Sequence, residues 1–354
     1  MSETSPSVAH DAAALPGAAP ARLGRYEVLR RMAVGGMAEI YLTRASGPEG
    51  IEKVVVVKRI HPRLASSREV VAMFLDEARI AATLRHSNIV QVYDIGEAEG
   101  EYFFAMELLH GEDAGALMQA LGQRERRLPL EHAVGIVANV CAGLHYAHEK
   151  VGRDGAPLGI VHRDVSPSNV FVTMDGEVKL LDFGVAKAAH RLSVTTGGLP
   201  KGKLAYMTPE QITGSPLDRR SDIFSLAVLL WELTTSRRLL RGKGDYEVMK
   251  AITDEDAPPP SVFQDDYPSD LERIVMKGLA RDRAQRFRTA QELQLALEEF
   301  GREHKRAVSP VALASLMKEL FGVRRTAFLE TAPSRLPAAG GADAPVTPPG
   351  SAPA

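Results

Sequence analysis

The chain has 354 residues, 45% apolar and 25% charged, with a formal net charge of −2. This is ordinary globular composition, long enough for two domains or one large two-lobed domain, and it offers no global field to draw nucleic acid or anionic lipid. Its one cysteine, Cys141, excludes an intrachain disulfide and reads as a buried, inert thiol within the apolar run 134–144.

Residues 1–21 are rich in Ala, Pro and Ser and read as a disordered tail, as do residues 331–354. The Met-Ser-Glu start lacks the basic-then-apolar order of a secretory signal. No stretch approaches the roughly 18 uncharged apolar residues of a membrane helix. The expected setting is therefore the cytoplasm, with no membrane span and no nucleic-acid partner.

Residues 26–32, 39–44 and 53–60 are β-rich runs separated by Gly or Pro turns. Val70, Phe74, Ala78 and Ala81 recur at helical spacing and predict a helix over 69–84. Residues 89–95 and 102–108 are again strand-like. From 113 to about 300 the pattern turns helical, at 114–122, 130–150, 219–235, 245–253, 270–280 and 289–301, with a β-rich island at 160–181. A small β-rich lobe followed by a larger helical one predicts an α+β protein with a cleft between the lobes. Residues 311–321 form one more amphipathic pattern, with Ser309 as N-cap before Pro310. They read as a packing helix that closes the larger lobe.

Two motifs carry chemistry. The first is His162-Arg163-Asp164-Val165-Ser166-Pro167-Ser168-Asn169, which puts a carboxylate and a carboxamide on one tight loop. The second is Asp182-Phe183-Gly184, after the strand pattern 178–181. Either alone is weak; both at this spacing are strong. At these residues the sequence resembles the protein kinase superfamily, specifically the eukaryotic-like, Hanks-type Ser/Thr kinases of bacteria.

The resemblance covers residues 25–300 and implies a two-lobed protein-kinase fold. It places a kinase domain over 22–302, with a smaller lobe at 25–109 and a larger one at 110–302, and a helical extension at 303–330. It also implies ATP with Mg²⁺ (or Mn²⁺) as cofactors. Asp164 would accept or orient the proton of the substrate hydroxyl, and Asn169 and Asp182 would hold the metal. Lys58, ending the run Val54-Val55-Val56-Val57, would grip the α- and β-phosphates. Glu77 would pair with Lys58, with Asp76 the alternative partner. Ala33, Val34, Gly35 and Gly36 match the phosphate-covering hairpin. Met106-Glu107-Leu108-Leu109 matches the hinge, with backbone groups of Glu107 and Leu109 at the adenine edge and Met106 at the back of its pocket. Ile40, Val56, Leu109 and Phe171 would sandwich the ring, and Asp113 would reach the ribose. Glu210, Arg286 and Asp222 match structural positions of the family.

Some positions depart from the family pattern. Two of the three expected glycines of the hairpin are Ala33 and Ala38, which implies weaker nucleotide binding, not its loss. Ser166 stands where these kinases carry Lys, and Lys203 where the activation segment carries Thr. The inventory of groups is kept while their anchor points are exchanged, so Lys203 is expected to take over the missing lysine's role. Ala81 replaces a longer aliphatic one turn after Glu77.

Lys58, Glu77, Asp164, Asn169 and Asp182 all survive, so the expected function is an active Ser/Thr protein kinase. The alternative is a pseudokinase or nucleotide-binding scaffold. The resemblance further implies autophosphorylation at Thr195 or Thr196, with Ser193 as third choice. Arg163 and Lys187 would then form the cationic clamp for the phosphate. The expected partners are protein substrates, unnamed by the sequence, and a transient homodimer for transfer in trans.

Overall fold

The computed structural model describes residues 20–47, 51–183, 204–240, 242, 244–306 and 309–322. The chain divides into two units at Leu320, and the description that follows is of the first.

A six-stranded antiparallel sheet, in the order β1-β2-β3-β4-β6-β5, forms the smaller lobe. Its strands are β1 (Arg22–Leu23), β2 (Tyr26–Val34), β3 (Ala38–Ser46), β4 (Glu52–Ile60), β5 (Val92–Ala98) and β6 (Glu101–Met106). Helix α1 (Arg68–Thr83) crosses one face, its first turn capped by Ser67, whose Oγ accepts from the Val70 amide. Because Val70, Phe74, Ala78 and Ala81 share one side of α1, they pack together against Ile60, Val92 and Phe104 of the sheet. The opposite sheet face buries Leu23, Tyr26, Tyr41, Val55, Val57 and Phe103.

That second face also carries a ladder of charge across four strands. Arg31 of β2 meets Glu39 of β3 at 3.3 Å, Glu39 meets Arg59 of β4 at 2.5 Å, and Arg59 meets Glu101 of β6 at 2.9 Å. The Tyr41 hydroxyl also donates to Glu39, at 2.9 Å. The pairing spares Glu39 and Arg59 the cost of burial without partners.

The strand expected over 89–95 begins only at Val92. Ile89 bridges Leu180, and the Val90 amide donates to the Leu180 carbonyl at 3.0 Å. These apolar residues are therefore tied to the larger lobe and not to the sheet their composition suggested.

A small sheet, β7-β8-β9, lies beneath the cleft, built from Gly111–Asp113, Val170–Thr173 and Val178–Leu180. Around it stand α2 (Ala114–Gly122), α3 (Leu130–His148), α4 (Pro209–Ile212), α5 (Arg219–Thr235), α6 (Asp245–Asp254), α7 (Ser269–Gly278), α8 (Ala290–Glu303) and α9 (Pro310–Phe321). Helix α5 is buried from Ser221 to Thr235, the signature of a central helix with no solvent face. Cys141 is fully buried within α3, and burial pushes its thiol far above the ordinary range, consistent with an inert residue. Ser309 does cap α9, its Oγ accepting from the Ala312 amide at 3.4 Å.

Helix α3 ends at His148, two residues before the expected 150, because the chain turns into a small hairpin. There Val151 bridges Pro157, the Gly152 amide donates to Ala156 at 2.8 Å and the Leu158 amide to Lys150 at 2.9 Å.

Candidate active site

Strand pairing decides which side chains enter the cleft. Residues opposite each other in an antiparallel pair share a face. The register sets Ile40 against Lys58, Lys58 against Phe104, and Val56 against Met106, so all of these lie on one face of the sheet. In the small sheet Phe171 pairs with both Asp113 and Lys179. Register thus places Ile40, Val56 and Phe171, whereas Leu109, the fourth residue expected around the adenine ring, lies in no strand.

Lys58 is nearly buried, and its Nζ lies 3.0 Å from Glu77 Oε1 and 2.9 Å from Asp182 Oδ1. The alternative partner, Asp76, is exposed and pairs with Arg79 instead. Burial works against the Lys58 charge, but Asp182 and Glu77 outweigh it and hold the ammonium above the ordinary lysine range. Burial also pushes the Glu77 carboxyl up to about 7, against the pull of Lys58. Asp182 adopts φ 54° and Arg163 φ 68°, left-handed conformations that side chains of this kind enter at some cost.

The catalytic-motif loop is held from below by Asp222, in the first turn of α5. Asp222 accepts from the His162 amide at 2.8 Å, the Arg163 amide at 2.7 Å and His148 Nε2 at 2.8 Å. Burial opposes its charge, yet the bond to His148, the neighbouring imidazoles of His148 and His162, and the Arg163 amide hold its carboxyl below the usual range. His148 is a site neighbour that sequence reasoning missed: nothing in a single sequence distinguishes it from any histidine ending an apolar helix. The His162 ring bonds the Leu181 carbonyl at 2.8 Å and stacks edge-on against Phe183 at 4.7 Å. Ala81 is buried in the cluster that contains Val92, Phe74 and Phe104.

Asn169 Nδ2 donates to the Asp164 carbonyl at 2.7 Å and to Asp164 Oδ2 at 3.0 Å. Its carboxamide oxygen is directed by that choice. Ser166 is buried, its hydroxyl 3.1 Å from that of Ser168. Lys203, Lys187, Ser193, Thr195 and Thr196 lie outside the described residues.

Gly35 and Gly36 form the tip between β2 and β3, beside the exposed Ala33 and Val34, and the Gly35 amide donates to the Ala38 carbonyl at 2.8 Å. Neither glycine adopts a positive φ, and a Cβ on Gly36 would touch no other protein atom. Ala38, at one of the missing glycine positions, turns its methyl into the core with Ile60 and Phe74. The extra carbon is thus accommodated by packing.

At the hinge the Glu107 amide donates to Gln91 at 2.9 Å, and its carboxylate accepts from the Gln91 amide at 2.7 Å and Lys179 at 3.0 Å. The Glu107 carbonyl and the Leu109 amide make no backbone hydrogen bond among the described residues. Asp113 caps α2, with Oδ1 accepting from the Ala116 amide at 2.8 Å.

Arg286 reaches Glu210 with two bonds, 2.7 and 3.1 Å, and Ser221 adds a third at 2.8 Å. Burial resists the Glu210 charge, but these bonds keep its carboxyl below the usual range. Among the described residues no group of three or more His, Cys, Asp or Glu is built to hold a metal alone. Asn169 and Asp182 supply hard oxygens, so they fit a divalent ion that takes its remaining ligands from phosphate and water.

The family described as "Protein kinase domain" matches residues 26–296. The chain belongs to the protein kinase family. It is 42% identical over 314 residues to tyrosine-protein kinase MasK of Myxococcus xanthus, covering 89% of this chain and 48% of MasK. It is 34% identical over 278 residues to serine/threonine-protein kinase PknB of Mycobacterium leprae, covering 77% and 42%. The crystal structure of the Mycobacterium tuberculosis PknI kinase domain superposes with a TM-score of 0.60 at 27% identity, covering 78% of this kinase and 96% of that chain. This kinase spans less than half the length of these two curated relatives. No helix among its described residues is long and apolar enough to cross a membrane.

Proposed function

We propose that this protein kinase transfers the γ-phosphate of ATP to serine or threonine hydroxyls of proteins, and to its own activation segment. The observation that carries the reading is the convergence of Glu77 and Asp182 on Lys58, with Asp164 bound to Asn169 alongside. Phosphoryl transfer is mainly positioning and neutralisation of charge, and this constellation supplies both.

In this reading Lys58, aimed by Glu77, holds the α- and β-phosphates. Asp182 and Asn169 hold Mg²⁺ or Mn²⁺, which neutralises phosphate charge when bound. Asp164 orients the substrate hydroxyl and receives its proton as the oxygen bonds to phosphorus and ADP leaves. The Glu107 carbonyl and the Leu109 amide meet the adenine edge, Asp113 the ribose, and Ile40, Val56 and Phe171 the ring faces. Arg163 supports the clamp for a phosphorylated segment. Its Nε is buried without a partner among the described residues, and its guanidinium pKa is lowered by burial, which a phosphate would relieve. Transfer between two copies of the chain is part of the proposal.

The second reading, a tyrosine acceptor, is favoured by the name of the Myxococcus relative. A pseudokinase is favoured by Ser166 and the thinned glycine loop. Mass spectrometry after incubation with MgATP separates all three. Phosphate on Thr195, Thr196 or Ser193 is the expected result. Phosphotyrosine alone would overturn the acceptor class, and no incorporation would leave the scaffold.

A further inference from the structure

Helix α9 is joined to the larger lobe at defined points. Leu313, Ala314, Leu316, Met317 and Leu320 are buried along one face at helical spacing. Its first turn rests on the β8–β9 turn, where Gly176 has φ +81° and a Cβ would overlap the Pro310 carbonyl oxygen. Only glycine satisfies both conditions. Its last turn is held by the α2–α3 connection. There Arg124 Nη2 donates to the Leu320 carbonyl at 2.8 Å, and Arg126 pairs with Glu319. Cations at helix C-terminal carbonyls are favourable. Just ahead of the helix, Arg306 meets Glu131 of α3 at 3.1 Å.

The turn that α9 grips is the far end of the small sheet, and the near end of that sheet carries the site. Asn169 directly precedes β8 and Asp182 lies two residues past β9. The Leu181 amide donates to the Asn169 carbonyl at 2.8 Å, locking the two strand ends together. β7 ends at Asp113, the cap of α2, and α2 leads to Arg124. The helix therefore spans from the hairpin that bears Asn169 and Asp182 to the unit that bears Asp113.

We propose that α9 is a positioning element of the active site, a strap that fixes β8 against β9 and so sets the spacing of Asn169 and Asp182. The proposal rests on the reading of those two residues as metal ligands. A strap that sets ligand spacing acts on metal-bound nucleotide. A helix that only adds stability acts on neither form of the nucleotide selectively.

The test uses the full chain and isothermal titration with MgATP and with metal-free ATP. Met317, fully buried, is changed to Asp to lift α9, and Arg124→Ala, at an exposed position, removes the bond to Leu320 together with one to the Ala120 carbonyl of α2. Leu293→Ala on α8 serves as a control that loosens the core away from the small sheet. Met317→Asp should weaken MgATP binding at least fivefold and metal-free ATP less than twofold, and Arg124→Ala should shift MgATP two- to threefold in the same sense. Leu293→Ala should lower the thermal midpoint yet leave both affinities within twofold. If wild type binds MgATP and both Met317→Asp and Arg124→Ala bind it equally well, or lose both forms alike, the strap is overturned and the site reading stands. If Met317→Asp fails to fold, Arg124→Ala decides alone. A wild type without metal-dependent binding would overturn the site reading and the strap with it.

Discussion

Lys58 Nζ lies 2.9 Å from Asp182 Oδ1, joining a strand of the smaller lobe to a residue two past the end of β9. Asp182→Ala therefore removes a partner of Lys58 and the proposed metal ligand together. Phosphoryl transfer should fall below detection, and MgATP binding should weaken at least tenfold more than binding of metal-free ATP. Isothermal titration with and without Mg²⁺ measures this. Equal weakening of both would contradict the metal role.

Glu77 gives a pH signature. Burial raises its carboxyl to about 7, above the roughly 4.3 of an exposed glutamate. Because the folded value is raised, its contribution to stability is present below the unfolded value and is lost as pH rises through about 7. Gripping Lys58 as an ion pair requires the ionised form. Initial rates should therefore rise across the window in which that stability contribution is lost. A pH series of rates and melting temperatures should show both trends in wild type and flattening of both in Glu77→Gln. Wild-type rates unchanged down to about one unit below that value would contradict the assignment.

Asp222→Ala leaves the amides of His162 and Arg163, and the buried His148, without their acceptor. Orphaned buried donors should cost about 3–5 kcal/mol in urea unfolding. Asp222→Asn, which keeps one carbonyl oxygen, should cost less. A loss under about 1 kcal/mol for the alanine variant would mean that the loop is held elsewhere.

How much of this was legible in advance follows from the range of each signal. Local sequence pattern placed α1, α2 and α5, by helical spacing in α1 and by a long apolar run in α5, because each depends on its own sequence. The motif residues marked the site, because their spacing is local too. Residues 89–91 misled because an apolar run does not say which lobe it serves. The hairpin at 151–157 was hidden because its residues match no strand alternation. The Glu39–Arg59 pair and the His148–Asp222 bond were invisible for a different reason: they join positions 20 and 74 residues apart. The Asp76 or Glu77 ambiguity needed the helix phase, which turns Glu77 inward and leaves Asp76 exposed.

Ser166 and Lys203 define a fourth prediction. Should Lys203 supply the ammonium that the catalytic loop lacks, Lys203→Ala loses at least tenfold in turnover. Ser166→Lys alone is impaired by like-charge crowding, and Ser166→Lys with Lys203→Thr recovers. Steady-state rates on a basic peptide measure all three. Unchanged turnover in Lys203→Ala removes the proposed role.

The central claim is that Asp164 serves phosphoryl transfer in a working kinase. Its most direct test is transfer of radiolabelled γ-phosphate from MgATP to protein, comparing wild type with Asp164→Ala at equal nucleotide occupancy. The account predicts robust labelling of wild type on serine or threonine and none above background in the variant, with MgATP binding retained. Equal labelling of the two proteins, or none in either, would contradict it.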